Sequence, residues 1–541
     1  MRMRNMWSRM LLGALTSCSA LAGAVLAQEA EPAPMPMPAA AAVEYEVMPL
    51  PPSIWDGKPT EATIKLERQV QQMLKGDLAL ADNAANFDAY FTRYNFPLLT
   101  QHSNEQLARL HVERSKFFRD YLRRNGTTSA EAHDRLVNLT FLTMKDVVKK
   151  KYHPAVRYNA MLMIAELNTK EAVTGSGSQA GPADPLAAAR DFMIAELLDP
   201  KQIDAVKVAA LIGILRHLEL NADRPADRQF PAGVRNAIVK QLLPMASDKK
   251  VPAERDPAGH AWLRARLVES LTALCRAGYD PNIGQLLVQI VGDDTEPMML
   301  RFTAAESLGS INLASDPKLT GSEVARKLAE LLLQATRAQL AKMDDELAII
   351  KEMNKRNGYG PGTPSSVSGP YQNPNDPAVL KQEQRMLLVR RILKDHAVRT
   401  LHGLKGTDGT LGAMSAAKGN QKEYVTNVID AVTALGKVAD VAAGAPAPKL
   451  AEFAKSLRSH LNSLDTVVKT GGAPKPIVPP PTEGTETPEV PGGPGAEAPE
   501  GPAAAPAPAA KAPAPAGKAP AAPPAGELDV PDAPAADAKK N

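Results

Sequence analysis

The middle of the chain repeats one arrangement of apolar and polar residues. Four phrases carry it: AVRYNAMLMIAEL from residue 155, AVKVAALIGILRHL from residue 205, WLRARLVESLTAL from residue 262 and MLRFTAAESLGSI from residue 299. Each phrase contains one basic reference residue, which is Arg157, Lys207, Arg264 or Arg301. Apolar residues stand one position before it and seven after it, and Ala or Leu stands three after it. These offsets share one stripe of a 3.6-residue helix, so each phrase predicts an amphipathic helix.

The recurrence of this helix predicts stacking. The phrases return at irregular intervals of roughly 40 to 60 residues, which is the spacing of helical repeat proteins. A single helix pair of this kind cannot bury its own apolar stripe, so neighbouring pairs are expected to stack on one another. The composition agrees, because 44% of the residues are apolar and only 4% are aromatic. That balance is typical of Ala/Leu-rich helical packing and poor for a β-sandwich.

The phrases resemble the second helix of HEAT repeats. The HEAT pattern has an Asp-Pro start, a Val-Arg pair, a central Ala and a late Leu-Gly, and the match is closest from Glu296-Pro297 to Leu308-Gly309. The resemblance covers residues 154–311, whereas residues 388–400 match poorly because Lys394 stands where an apolar residue belongs. It implies an all-α fold, an α-solenoid of stacked helical hairpins that binds proteins, and it brings no catalytic residues. A plain helical bundle is the alternative fold.

Proline and glycine mark the ends of the predicted elements. Proline is pre-organised for the first turn of a helix. The predicted starts are His153-Pro154, Asp256-Pro257, Glu296-Pro297 and Asp376-Pro377. Residues 322–356 predict one long helix or two abutting helices. The Gly/Pro-rich residues 174–185 and 357–377 predict surface loops between hairpins.

The first 27 residues are typical of an export signal. Three arginines precede an apolar stretch over residues 10–26, and Val25-Leu26-Ala27 supplies small residues for cleavage before Gln28. The sequence Leu-Thr-Ser-Cys ending at Cys18 also fits a lipobox, so lipidation of Cys18 is the alternative to simple cleavage. We therefore expect an exported bacterial protein of the periplasm or cell envelope, with membrane contact only if Cys18 is lipidated.

Low-complexity segments divide the rest of the chain. Residues 28–54 are rich in Pro, Ala and Met and predict a flexible leader, and residues 55–470 form the predicted helical-repeat domain. Residues 471–541 are dominated by Pro, Ala, Gly and Glu, a composition that disfavours helices and strands. This segment predicts a disordered, partly polyproline-II tail that acts as a spacer.

The sequence contains no motif with the spacing of a catalytic or metal-binding site. The nine histidines are dispersed and form no HExxH or similar cluster, so no catalytic, cofactor or metal residues are predicted. Ser415 to Lys418 matches S-x-x-K and Lys469 to Gly471 matches K-T-G, but the helical context contradicts the strand on which K-T-G sits in β-lactamases. Cys275 follows an apolar helix and predicts a packed core residue. A non-enzymatic protein is expected.

Two groups of side chains are candidates for binding. Phe87, Tyr90, Phe91 and Tyr94 share one helix face, a spacing more typical of a core than of an exposed stripe. Basic residues cluster around positions 114–124 and 149–151, which is usually a solvated face. The predicted partner-binding residues are Arg119, Arg123, Arg124, Lys149, Lys150 and Lys151. In an exported protein they would meet an anionic protein or envelope polymer rather than nucleic acid.

These observations favour a scaffold. The prediction is an exported, protein-binding scaffold in which the helical repeats supply the surface and the tail sets the reach. The alternative is a structural, cell-wall-associated protein that contacts anionic envelope polymer through its basic face and its tail. The mildly basic body and the formal net charge of +3 are compatible with both functions. The sequence leaves the oligomeric state open.

Overall fold

The computed structural model describes residues 44–55, 58–123, 129–173, 181–356, 377–440 and 450–474. Most of these residues are helical, which confirms the predicted all-α class. The α-helices are α1 (Pro52–Trp55), α2 (Glu61–Lys75), α3 (Leu80–Tyr90), α4 (Phe96–Leu98), α5 (Asn104–Phe117), α6 (Ala130–Lys149), α7 (Pro154–Glu166), α8 (Ala187–Leu198), α9 (Asp204–Ala222), α10 (Ala232–Ser247), α11 (Pro257–Ala277), α12 (Pro281–Gly292), α13 (Met298–Leu308), α14 (Gly321–Arg356), α15 (Pro377–Lys405), α16 (Ala413–Ala416), α17 (Asn420–Ala439) and α18 (Leu450–Thr470).

Shorter elements join these helices. Two π-helical turns, Phe91–Asn95 and Phe118–Leu122, continue α3 and α5, and 3₁₀ turns lie at Ala226–Arg228 and Leu313–Ser315. The strands β1 (Asn168–Lys170) and β2 (Asp184–Pro185) form one antiparallel pair, in which Asn168 is the partner of Pro185. This pair links α7 to α8.

From α6 onward the odd-numbered helices pack in series. Helix α7 packs against α9, α9 against α11, α11 against α13, α13 against α15 and α15 against α17. Each of α7, α9, α11, α13 and α15 also packs against the even-numbered helix that precedes it, and α17 packs against α18. Buried positions of the four phrases make these contacts, since Ala160, Ala210 and Ala304 are at most 2% exposed. The predicted apolar stripe is therefore confirmed as core.

Three of the four basic reference residues, Arg157, Arg264 and Arg301, tie neighbouring hairpins together. The Arg264 Nε donates to the carbonyl of Ala246, near the end of α10, at 2.9 Å. Its two Nη atoms donate to both carboxylate oxygens of Glu296, just before α13, at 2.6 and 2.8 Å. Both side chains are almost completely buried, at 4% and 3% exposure. The side chain therefore bridges one hairpin to the next from inside the molecule.

Two other reference residues make equivalent bridges. Arg157 donates to the Val148 carbonyl at 2.9 Å and to Gln202 Oε1 at 2.6 Å. Arg301 donates to the Val291 carbonyl and, across to α14, to Gln334 Oε1 at 2.6 Å. In each case the guanidinium group satisfies a carbonyl at the C-terminal end of an even-numbered helix, which the helix itself leaves without a donor.

The predicted helix starts agree with the structure. Helices α7, α11 and α15 begin at Pro154, Pro257 and Pro377, and α13 begins one residue after Pro297. The Asp256 carboxylate accepts a hydrogen bond from the Gly259 backbone N–H at 2.8 Å and so caps α11. Residues 322–356 belong to a single helix, α14.

The aromatic residues near the N-terminus form a core, as predicted. Phe87, Phe91 and Phe96 have no exposed surface, and Tyr90 is 6% exposed. The ring of Phe91 lies edge-on to that of Tyr121, with 5.2 Å between centroids. The two π-helical turns thus meet in one aromatic cluster, which serves packing.

Part of the segment predicted as a leader is packed. The Glu46 backbone N–H donates to the Lys151 carbonyl at 2.9 Å, and the Met48 N–H donates to Thr100 Oγ1 at 3.0 Å. Gln101 Nε2 donates to the Met48 carbonyl at 3.0 Å. Residues 44–50 therefore join the region between α4 and α5 to the connection between α6 and α7. The predicted signal segment, the leader up to residue 43 and the tail from residue 475 lie outside the described residues.

Candidate functional site

The odd-numbered helices leave one stripe of side chains partly open to solvent. We call this stripe on α7, α9 and α11 the front face. Its residues recur three or four positions apart, the spacing of one helix face. They are Tyr158, Leu162 and Glu166 on α7, Val208, Ile212, Leu215 and Glu219 on α9, and Trp262, Arg266 and Glu269 on α11.

The centre of the front face is apolar. Tyr158 and Leu162 lie on α7, and Val208, Ile212 and Leu215 lie on α9, which packs against α7. All five side chains keep exposed surface. Ile212 is the most open of them, at 38% exposure. Large apolar side chains grouped on a surface mark binding sites more often than singly exposed ones do. We call these five residues the apolar row.

A cluster of arginines lies at the end of the front face where α7 terminates. The Glu166 carboxylate pairs with Arg114 Nε at 3.2 Å and with Arg123 Nη2 at 2.9 Å. Arg123 Nε also lies 3.6 Å from Glu171 Oε2. The Arg123 guanidinium is 4.7 Å from the centroid of the Phe118 ring, which adds a cation–π contact.

Arg216 completes this cluster from α9. Its Nη1 donates to the Ala165 carbonyl at 3.0 Å and its Nη2 donates to Asn168 Oδ1 at 2.7 Å. Asn168 in turn donates to Glu171 Oε2 at 2.8 Å, so Arg216 and Arg123 are linked through two side chains. Burial, followed by repulsion from Arg123, lowers the pKa of Arg216 to about 10. We call Arg114, Arg123 and Arg216, with Glu166 and Glu171, the arginine cluster.

A histidine adjoins the same cluster. His133 Nε2 lies 3.8 Å from Glu171 Oε1, and His133 is 9% exposed. The contact with Glu171 raises the pKa of His133, and burial opposes that rise. Protonation of His133 therefore adds positive charge beside the three arginines as the pH falls.

A second charged group lies on α11. Burial raises the pKa of Glu269 to about 7; the carboxylates of Glu306 and Glu219 act in the same direction, while Arg266 opposes the rise. The Arg266 Nη1 lies 2.7 Å from Glu269 Oε2, and its guanidinium is 5.4 Å from the Trp262 ring centroid. Perturbed carboxylates mark functional sites and structural ion-pair networks alike. Here the salt bridge makes the network the simpler interpretation.

The predicted binding arginines have different surroundings. Arg119 is exposed and pairs with its neighbour Asp120, at 2.7 and 2.9 Å. Arg123 belongs to the arginine cluster. Arg124 lies outside the described residues. Of the two described arginines, only Arg123 adjoins the front face.

The predicted lysines lie at the other end of α7. Lys149 Nζ is 3.7 Å from Glu196 Oε1, and Lys150 Nζ is 2.6 Å from Asp146 Oδ2. The Lys151 backbone pairs with Glu46. Helix α7 has 13 residues, so these lysines are about 20 Å from Arg123 along a helix that rises 1.5 Å per residue. The five predicted residues that the structure describes are therefore not brought together into one patch.

Several residues of the site were not singled out by the sequence. Arg216 lies inside the second phrase, next to Leu215. A polar residue at one position of such a helix is common, so the local sequence does not mark Arg216 as a binding residue. Glu166 and Trp262 also belong to phrases whose residues predict core packing. Arg114 stands in the basic series, yet only its pairing with Glu166 on another helix distinguishes it from its neighbours.

The structure gives little support for chemistry elsewhere. Within the described residues, no group of three or more His, Cys, Asp or Glu side chains is placed to hold a metal ion. Burial raises the pKa of the Cys275 thiol to about 12, and Cys275 is 6% exposed, which confirms it as a core residue. The Ser415 Oγ donates to the Gly412 carbonyl and accepts from the Leu313 N–H, so it stabilises a turn.

One open pocket lies between α12 and α14. Its volume is about 490 Å³, and its lining includes Asp293, Glu323 and Lys327. Lys327 Nζ lies 3.9 Å from Glu323 Oε1 in this lining. Among the described helices, none combines the length and apolar character needed to cross a membrane.

Comparison with known proteins gave no relatives. No protein-family model matches the chain, and no curated protein or solved structure matches it either. The resemblance to HEAT repeats rests on the spacing of the four phrases.

Proposed function

We propose that the chain is a non-enzymatic, exported scaffold that binds a protein partner on the front face of a HEAT-like α-solenoid. The packing order supports the solenoid, because each odd-numbered helix from α7 to α15 packs on the next odd-numbered helix and on the even-numbered helix that precedes it. The bridges made by Arg157, Arg264 and Arg301 support it too, since each joins successive hairpins. A closed helical bundle would bury the stripe that the front face leaves open.

The apolar row carries the proposal. Five apolar side chains of α7 and α9 keep contact with solvent on one face, although the same helices bury most of their other apolar residues. Covering such a surface is favourable at about 25 cal/mol per Å² of apolar area. A protein segment with apolar side chains supplies that cover, and α6 and α8 pack against the two helices that carry the row.

Export follows from the N-terminal sequence. The mature protein is expected to begin at Gln28, because Val25-Leu26-Ala27 precedes it. Intact-mass measurement of the secreted chain checks this start. An acylated Cys18 at the N-terminus would instead establish the lipoprotein alternative.

Site-specific crosslinking in intact cells tests the binding face. A photoreactive amino acid replaces Ile212 on the front face or Leu142 on α6, which is 54% exposed and serves as the matched control. We expect a discrete, saturable adduct from position 212 and none from position 142. The adduct should disappear when Leu215→Asp is introduced into the same chain.

Two outcomes contradict the proposal. Equal adducts from both positions would mean that the front face is not selective. Sedimentation with purified cell wall, abolished by salt and unaffected by Leu215→Asp, would favour the wall-associated alternative.

A further inference from the structure

We propose that the arginine cluster is a binding site for a carboxylate group of the partner protein. This inference rests on the proposed function, because it assigns chemistry to one end of the same front face. The occupant is an acidic side chain on a segment whose apolar side chains lie on the apolar row.

The balance of charge in the cluster supports an anionic occupant. Three guanidinium groups face two carboxylates, which leaves one positive charge in excess. The Glu166 carboxylate already pairs with Arg114 and Arg123, and Glu171 already accepts from Asn168. The hydrogen bonds of Arg216 go to two neutral acceptors, a carbonyl and an amide oxygen. Glu166 and Glu171 attract the charge of Arg216 without forming a salt bridge with it, so Arg216 is the guanidinium with which an incoming carboxylate would pair.

The size of the excess favours a carboxylate over a phosphate group. While His133 is neutral, one negative charge brings the cluster to neutrality, whereas a dianionic phosphate would place a second charge beside Glu166 and Glu171. Guanidinium groups present planar pairs of donors that match the two oxygens of a carboxylate. Two of the five donors of Arg216 are engaged in the bonds described above, and the others remain for a ligand.

The position of the cluster fits a segment on the apolar row. Leu215 directly precedes Arg216 on α9, and Leu162 lies one helical turn before Glu166 on α7. Arg123 borders this point and keeps 41% of its side chain exposed. A segment that covers Leu162 and Leu215 therefore places its next residues within reach of both guanidinium groups.

Two synthetic peptides test the inference. Both are amphipathic, four helical turns long and rich in leucine, and one carries glutamate where the other carries lysine. Each is titrated against the full chain, and binding is followed by fluorescence anisotropy at low and moderate salt. We expect the glutamate peptide to bind about tenfold more tightly than the lysine peptide, with a preference that salt weakens.

Matched variants assign this preference to the cluster. Arg123→Gln and Arg216→Gln should each remove most of it, and Arg216→Lys should restore part of it. Arg119→Gln removes the same charge from an exposed residue that pairs with Asp120, and it should leave the preference unchanged. Thermal unfolding of each variant verifies that the helices remain folded.

The outcomes separate this inference from the proposed function. If both peptides bind equally and Ile212→Ser weakens both, the carboxylate site is wrong and the front face stands. If neither peptide binds, or if Ile212→Ser changes nothing, the proposed function fails as well. Inorganic phosphate that displaces the glutamate peptide more effectively than acetate, at equal ionic strength, would overturn the choice of a carboxylate.

Discussion

At the scale of single residues, the sequence and the structure suggest different roles for the reference arginines. In the phrases they stand beside apolar residues and could be read as the polar edge of an amphipathic helix. In the structure Arg264 is 3% exposed and donates to Glu296 and to Ala246. The sequence places the residue correctly on the helix, but its partner lies about 30 residues away and depends on how the hairpins stack.

The Arg264–Glu296 pair yields a stability prediction. Glu296→Ala leaves a buried guanidinium without its carboxylate, which should lower the free energy of unfolding by about 3–5 kcal/mol. Glu330→Ala breaks the exposed pair of Glu330 with Arg326 and should cost at most about 1 kcal/mol. Chemical denaturation of both variants measures the difference. Equal losses would mean that the buried bridge is not a stabilising contact.

Glu269 gives a prediction of pH dependence. Its pKa is raised from the usual 4.5 to about 7, so the folded state binds more protons than the unfolded state between these values. Stability should therefore be highest near the lower value and should fall as the pH rises to about 7. The groups that act on Glu269 are Glu219 on α9, Arg266 on α11, Glu306 on α13 and Arg399 on α15.

Removing the ionisable group tests whether Glu269 causes this pH dependence of stability. Glu269→Gln imitates the protonated carboxyl, so at pH 8 it should raise the free energy of unfolding by up to about 3 kcal/mol. Near pH 5 the variant and the parent should be similar. Thermal unfolding across this range gives the result, and Glu330→Gln at an exposed position of α14 should leave the pH profile unchanged. If the stability of Glu269→Gln changed with pH in parallel with that of the parent, the assignment of the pH dependence to Glu269 would be wrong.

At the scale of elements, α15 shows how a register can be misread. The sequence comparison aligned residues 388–400 so that Lys394 occupied an apolar position. The structure follows a register based on Val389-Arg390: Arg390 is 5% exposed, and Leu393 and Ala397 are each 1% exposed. Lys394 points outward and pairs with Asp440 at 2.7 Å. The Val-Arg pair was the available signal, and it places α15 in the same row as α13.

Two leucines on α15 test this register. Leu393→Ala removes a buried side chain and should cost about 2–5 kcal/mol of stability. Leu387→Ala makes the same chemical change at a position that is 60% exposed, and it should cost less than about 1 kcal/mol. Urea unfolding compares the two variants. A larger loss at Leu387 would support the register in which Lys394 faces the core.

A glycine on α9 allows this helix to pack closely against α7. A Cβ added at Gly213 would lie 2.5 Å from the Cβ of Ala165, so glycine is required for the contact between α9 and α7. The sequence marks this position only as an isolated glycine in a helical pattern. By contrast, residues 44–50 have no periodicity, and their hydrogen bonds to Lys151 and Thr100 depend on distant segments, so sequence reasoning could not assign them.

At the scale of the whole molecule, local periodicity predicted more of the fold than of the site. Helices and their starts follow from residues close together in the chain, so the all-α class and the core stripe could be predicted. The arginine cluster combines residues of α5, the end of α7 and α9, and only the packing of these helices unites them. Charge density along the sequence drew attention to Arg123 but equally to Arg119 and the lysines at 149–151.

The last prediction concerns the tail and compares its contribution to partner binding with that of the folded region. Gly471 belongs to the packed region, since Asn427 Nδ2 donates to its carbonyl at 3.0 Å. A truncation after residue 474 therefore spares α18. The tail segment is poor in large apolar side chains and should contribute little contact energy, although a spacer can hold a tethered module at high effective concentration.

Removing residues 475–541 should leave the affinity of the purified protein for its crosslinked partner within about twofold of the parent. Leu215→Asp in the same truncated chain should weaken binding about tenfold or more, because it places a charge in the apolar row. Calorimetric titration of the parent, the truncated chain and the truncated variant gives both values. If the isolated tail bound the partner as tightly as the full chain, the front face would not be the binding surface, and the wall-associated alternative would explain the protein better.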